Sequence, residues 1–191
     1  MKRANTAYRS AVRVALATAF ILLVPLLAMQ FTDEVVWTLS DFVVAGALLF
    51  SSGLTYELVA RKGATIAYRA AAGVAVATAL LLVWISLAVG IIGDGHPADL
   101  MYMGVLAVGI IGAVIARLRS HGMARSLYAT ALAQALVAVI ALIFGLGSPE
   151  SGPLQIVGVN GLFVALWLGS AWLFRHAAAP EQLPAGAGPH R

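Results

Sequence analysis

Glu57 is the one carboxylate inside a long apolar stretch of this sequence. An ionisable side chain within a membrane-spanning segment is energetically costly, and by default it indicates a proton or substrate pathway. Arg61 follows one helical turn later, in the i,i+4 order that favours a Glu–Arg pair. Glu57 also lies near the basic end of its segment, where it can reach the surface, so we favour a structural ion pair over a transport site.

A second polar group, formed by Asp94, His96 and Asp99, falls in one connector. Carboxylates and imidazole together can hold a divalent cation, but this spacing matches no known ligand pattern, and a solvated loop explains it without a metal. Cysteine is absent, which excludes thiolate sites and cysteine nucleophiles. We therefore predict no catalytic residue, no cofactor and no metal, and a protein that is not an enzyme. A membrane enzyme with a metal at His96 is the least favoured alternative.

Three neutral polar residues, Thr18, Thr78 and Gln134, each lie nine positions after an arginine. At 1.5 Å per residue, a helix places each of them about 13 Å from its arginine, near the middle of a bilayer. A polar layer at one depth could line a pathway together with Glu57, but such residues more often hydrogen-bond between helices. None of the three is ionisable, so we favour packing, and we read Asn160 in the same way.

The composition excludes a water-soluble fold. Hydrophobic residues make up 61% of the 191 positions and charged residues only 10%, whereas soluble domains have about 45–50% and about 25%. In a soluble protein a net charge of +4 is compatible with a nucleic-acid partner, but here the basic residues are grouped at helix ends rather than along a face. We therefore predict the lipid bilayer as a partner and no nucleic acid.

Six apolar stretches have the roughly 20 residues that a helix needs to cross a bilayer. We predict an all-α integral membrane bundle with helices at about 10–30, 41–60, 70–91, 99–116, 126–145 and 154–174. These helices form one transmembrane domain over residues 1–176. Residues 177–191 are rich in Pro, Ala and Gly and are predicted to be a disordered cytoplasmic tail.

The charges divide sharply between the two ends of these helices. All 12 basic residues fall before or at the start of the first helix, between the second and third, between the fourth and fifth, or after the sixth. The opposite ends carry no Lys or Arg and hold Asp33, Glu34, Asp41, Asp94, Asp99 and Glu150. The positive-inside rule then places both termini in the cytoplasm.

The sequence also contains stretches that are similar to one another. Tyr8-Arg9 and Tyr68-Arg69 lie sixty positions apart, and the stretches 8–62, 68–119 and 125–175 follow the same plan of two apolar segments with basic ends. We interpret them as three helical hairpins in parallel repeat, although alanine-rich helices of equal length also align by chance.

Glycines recur at helical spacing, and small residues let helix backbones approach closely in lipid. The pairs that share a face are Gly46 with Gly53, Gly104 with Gly112, Gly109 with Gly112, and Gly158 with Gly161. We expect these glycines to lie at helix contacts.

Four runs carry a resemblance to a known family: 37–46 (WTLSDFVVAG), 103–112 (MGVLAVGIIG), 122–125 (GMAR) and 131–136 (ALAQAL). Together they resemble a family of small, uncharacterised bacterial inner-membrane proteins. The resemblance covers about residues 8–175 and implies a multi-pass protein of the bacterial inner (plasma) membrane. It implies no activity, cofactor or site residue.

Function is therefore predicted only at the level of class. We favour a non-catalytic membrane bundle that acts through helix association, as a homo-oligomer or with a membrane-protein partner. A small transporter or channel for a solute or ion, using Thr18, Thr78, Gln134 and Glu57, is the alternative.

The topology makes a first testable prediction. Reporter fusions at Asp94 and His121 should report opposite compartments, Asp94 outside and His121 in the cytoplasm, because one membrane crossing separates them. Two fusions that report the same compartment would contradict the arrangement of three hairpins.

Overall fold

The computed structural model describes residues 2–88, 90–92, 97–146 and 152–178, and over these ranges it is helical with no strand. The six long helices are α1 (Lys2–Phe31), α2 (Leu39–Ala60), α3 (Ile66–Ala88), α4 (Met101–Ile115), α5 (Ser120–Ile143) and α6 (Pro153–Ala178). A short 3-10 helix, Pro97–Leu100, leads into α4. Six segments are long and apolar enough to cross a membrane, with the 3-10 turn counted together with α4. The prediction of an all-α chain with six such helices is confirmed.

Several helices begin or end away from their predicted positions, for local reasons. α3 ends at Ala88 because Gly90 adopts a left-handed φ of 73°, and its N–H donates to the Ile85 carbonyl, as in a glycine C-cap. α5 begins at Ser120, because the basic turn predicted before it is itself the first turn of the helix, and its Met123 and Ala124 are buried. Composition alone could not separate such a polar first turn from a loop.

The last turn of α6 also extends further than predicted. Ala177 and Ala178 belong to the helix and are each only 4% exposed, although the predicted tail begins at 177. Alanine is the strongest helix former, and burial adds to that preference. The rest of the predicted tail, 179–191, lies outside the residues described.

Close contacts divide the chain into two units, Met1–Leu58 and Val59–Arg191, here called unit 1 and unit 2. The single domain over 1–176 and the three parallel hairpins stay predictions.

Unit 1 is a hairpin of α1 and α2. A Cβ added at Gly53 would lie 2.6 Å from a Val14 methyl, and one at Gly46 would lie 3.4 Å from Leu22, so the two helices run antiparallel. The start of α2 is fixed by a reciprocal cap. The Thr38 N–H donates to Asp41 Oδ2 at 2.6 Å, and the Asp41 N–H donates back to Thr38 Oγ1 at 3.4 Å.

Unit 2 packs four helices. α6 contacts both α3 and α5, and α5 also contacts α4. The largest side chains of its core include Tyr102, Phe163 and Phe174, none more than 1% exposed. α4 and α5 approach closely because Gly109 and Gly112 have no side chain, and a Cβ at Gly112 would overlap Ser126.

The expectation that the glycines lie at helix contacts is therefore met only in part. Gly46, Gly53, Gly109 and Gly112 face a neighbouring helix. At Gly104, Gly158 and Gly161, by contrast, an added Cβ would meet nothing within 4 Å in the described chain. Spacing along one helix shows which glycines share a face, but it cannot show which faces are covered.

Candidate functional site

The most buried polar group of unit 2 joins Tyr102, Gln134 and Asn160, here called the amide cluster. Asn160 Oδ1 accepts two hydrogen bonds, from Gln134 Nε2 at 2.8 Å and from Tyr102 Oη at 3.2 Å. Asn160 Nδ2 donates to the Ile156 carbonyl of its own helix at 2.9 Å. All three residues are at most 1% exposed. One side-chain oxygen therefore connects α4, α5 and α6.

The three helices position this cluster from different parts of the sequence. Tyr102 lies in the first turn of α4, Gln134 beyond the middle of α5, and Asn160 two turns into α6. Asn160 was predicted to hydrogen-bond between helices, and that prediction is confirmed. Tyr102 was missed, because a tyrosine at the end of an apolar segment ordinarily indicates a residue of the membrane boundary.

The amide cluster has one unused acceptor. Gln134 Oε1 is buried and has no hydrogen-bond partner among the described residues. A buried polar atom without a partner is destabilising, so such atoms are uncommon in native proteins. Chemically, two amides and a phenol can cross-link helices or bind a small polar molecule, but they do not provide a strong base.

The remaining members of the predicted polar layer have other surroundings. Thr78, 1% exposed in α3, donates to the Val74 carbonyl of its own helix at 2.7 Å. Thr18 is half-buried on α1, in unit 1. The contacts of Thr78 and Gln134 thus go to different partners, and the common depth of the layer stays a prediction.

Glu57 lies in a second polar cluster, which belongs to unit 1. Its Oε2 accepts a hydrogen bond from Ser10 Oγ at 3.0 Å, and its Oε1 lies 3.7 Å from Arg13 Nη2. Arg13 also donates to Ser10 Oγ at 3.1 Å, which closes a triangle of three side chains. The sequence indicated Arg61 as a partner but gave no sign of Ser10 and Arg13, since they are distant in the chain.

The exposure of this triangle limits its energy. The Arg13 side chain is 68% exposed and that of Glu57 26%. Ion pairs open to solvent typically contribute about 0–1 kcal/mol, because water screens the charges. The Ser10–Glu57 bond joins α1 to the last turn of α2.

The polar connector before α4 is used for structure. Asp99 Oδ1 accepts the backbone N–H groups of Ile91 and Ile92, at 3.1 and 3.0 Å. Asp99 therefore satisfies backbone donors that follow α3. Asp94 and His96 lie outside the described ranges, and no group of three His, Asp or Glu side chains comes together within those ranges.

The amide cluster predicts a specific stability effect. Asn160→Leu keeps the side-chain volume but leaves the donors of Tyr102 and Gln134 without an acceptor. The free energy of unfolding in detergent should fall by about 1–3 kcal/mol, which is the usual effect of leaving buried polar groups without partners. Tyr102→Phe removes a single bond and should cost only about 0.6 kcal/mol, the mean for such bonds in membranes. Equal losses for the two variants would show that Asn160 does not hold the three helices together.

Searches of protein-family models, of curated proteins and of solved structures found no match to this chain.

Proposed function

We propose that this chain is a multi-pass protein of the bacterial inner membrane, with both termini in the cytoplasm, and that it acts by helix–helix association rather than by catalysis. The apolar helices support the membrane location. The basic residues at alternate helix connections support the orientation, because cytoplasmic loops carry an excess of Lys and Arg.

The association rests on one face of α6. Gly161, Ala165 and Gly169 recur every four residues, so they lie on the same side of the helix, and all three are exposed. Within unit 2, no described atom comes within 4 Å of a Cβ added at Gly161 or Gly169. This face is the small-residue surface, and it is the observation that carries the proposal.

Glycine within a helix has a cost that a contact would explain. Each internal glycine destabilises a helix by about 0.5–1 kcal/mol relative to alanine. In lipid, burial of apolar surface stabilises helix association only slightly. Small residues offset the destabilisation by letting a second helix pack closely. A second copy of this chain is the occupant we propose, because a stripe of small residues is complementary to itself across a two-fold axis.

Fluorescence resonance energy transfer between labelled copies of the chain in liposomes tests this association. The chain has no cysteine, so a single Leu154→Cys at the start of α6 gives one labelling site. We expect transfer between donor- and acceptor-labelled copies and its loss in the double variant Gly161→Leu and Gly169→Leu. Gly104→Leu is the matched control, because it adds the same side chain at an equally open glycine of α4.

Two results would overturn this proposal. One is transfer in the unsubstituted chain that does not exceed the value for randomly distributed monomers. The other is an equal loss in the Gly104→Leu control, which would trace the effect to the added leucine and not to the face of α6.

Transport is the second candidate function, and Glu57 is the observation that favours it, because an ionisable side chain within an apolar span is by default a functional group. The carboxylate of Glu57, half-buried in a membrane span, would be the proton-carrying group.

A liposome assay with an entrapped pH indicator measures proton flux under an imposed potential. If the chain transports protons, Glu57→Gln should abolish the flux, because an amide cannot exchange the proton, while Glu34→Gln in the exposed α1–α2 connector should leave it unchanged. Flux that is absent, or equal in both variants, would rule out a proton pathway through Glu57.

A further inference from the structure

Unit 2 contains a cavity of about 320 Å³ at the end where its basic connectors meet. Residues 62–65 before α3 and residues 117–120 at the start of α5 form its rim, and Tyr68 and Ala177 complete the wall. The cavity is partly open to the outside and far larger than the space that one water molecule needs, so it has room for a phosphate group.

The cavity is strongly cationic. Lys62, Arg117 and Arg119 line it, and none of the described residues around it is a carboxylate. None of these three side chains forms an ion pair with a carboxylate in the described parts of the chain. Three like charges around one space repel each other, and an anion in that space would relieve the repulsion.

A neutral donor also points into this space. Ser120 lines the cavity and is only 5% exposed, yet its hydroxyl has no hydrogen-bond partner among the described residues. The hydroxyl oxygen is not one of the fully buried atoms that lack a partner, so it is open to the space that Ser120 lines. The hydroxyl is therefore available to a bound oxyanion.

The backbone at the start of α5 also carries partial positive charge. Ser120 is the first residue of the 24-residue α5, and the N-cap residue, Arg119, is extended and makes no side-chain cap. The first turn contains no acidic residue. The free N–H groups and the positive end of the helix dipole thus lie at the cavity, and no acidic side chain of this turn neutralises them.

The wall of the cavity is held in place by the core. Tyr68, 2% exposed, donates from Oη to the Leu118 carbonyl at 2.6 Å and packs edge-on against Phe174. Leu118 and Arg117 both have left-handed φ angles, 58° and 49°. The connector that carries both arginines is therefore fixed by contacts and does not hang freely.

We propose that this cavity binds a phosphate group, with Lys62, Arg117 and Arg119 as counter-charges and Ser120 and the start of α5 as hydrogen-bond donors. The group belongs either to an anionic phospholipid or to a free phosphate ion. The cavity lies at the ends of apolar helices, where lipid headgroups lie, and basic pockets at such places bind anionic headgroups. The proposal does not depend on association through α6.

Native mass spectrometry of the full chain in a neutral detergent can count bound molecules. The probes are short-chain phosphatidylglycerol, inorganic phosphate, and a short-chain diacylglycerol that lacks phosphate. We expect one phosphatidylglycerol per chain and no specific binding of diacylglycerol. Saturable binding of inorganic phosphate at the same site would identify a free anion as a ligand, and its absence would identify the lipid.

A pair of double variants tests the residues. Arg117→Gln with Arg119→Gln should weaken phosphatidylglycerol or phosphate binding at least about tenfold, since each basic residue near a membrane surface contributes about 1 kcal/mol. Arg69→Gln with Arg125→Gln is the control, because it removes the same charge from exposed positions that do not line the cavity. Ser120→Ala should weaken binding severalfold at unchanged charge.

Equal weakening in the two double variants would overturn the site, because it would show attraction by overall charge alone. Absence of any phosphate-bearing ligand on the unsubstituted chain would also overturn it. If the arginine pair does not yield helical protein, Lys62→Gln decides, since Lys62 is an exposed connector residue whose loss leaves the helices intact. Unchanged binding in Lys62→Gln would then count against the proposal.

Discussion

Asn160 Oδ1 is the atom on which three helices of unit 2 converge, through Tyr102 of α4 and Gln134 of α5. Helices in hydrocarbon gain little from burying apolar surface, because lipid is as apolar as the side chains. Directional bonds and close backbone contact must then hold the bundle together. Ser170 extends the same principle to α3 by donating to the Ala71 carbonyl at 2.8 Å. The core of unit 2 is consequently ordered by a few polar atoms within a large apolar volume.

The two units use this principle to different degrees. In unit 1, Glu57, Ser10 and Arg13 meet at the exposed end of a hairpin, where water screens their charges. In unit 2, the amide cluster is excluded from solvent, so each missing partner has a larger effect. The electrostatic character therefore differs between the solvated pairs of unit 1 and the buried hydrogen bonds and cationic cavity of unit 2.

The sequence predicted those parts of the fold that depend on local composition. Apolar length gave the six helices. Partners distant in the chain were not predictable, because nothing in the sequence links Tyr102 to Asn160, and Glu57 was matched only with the nearby Arg61. The basic connectors were recognised as an orientation signal, but that two of them enclose one cavity depends on how the helices pack.

Arg117 adopts the left-handed backbone conformation, which is freely available to glycine. For a residue with a side chain, this conformation costs about 1–2 kcal/mol. The chain therefore keeps a long cationic side chain at a point where conformational preference favours having no side chain. Selection of this protein for heat resistance would tend to replace Arg117 with glycine, and the more robust molecule would then lack one of the three charges around its cavity. Stability and charge are in direct conflict at this residue.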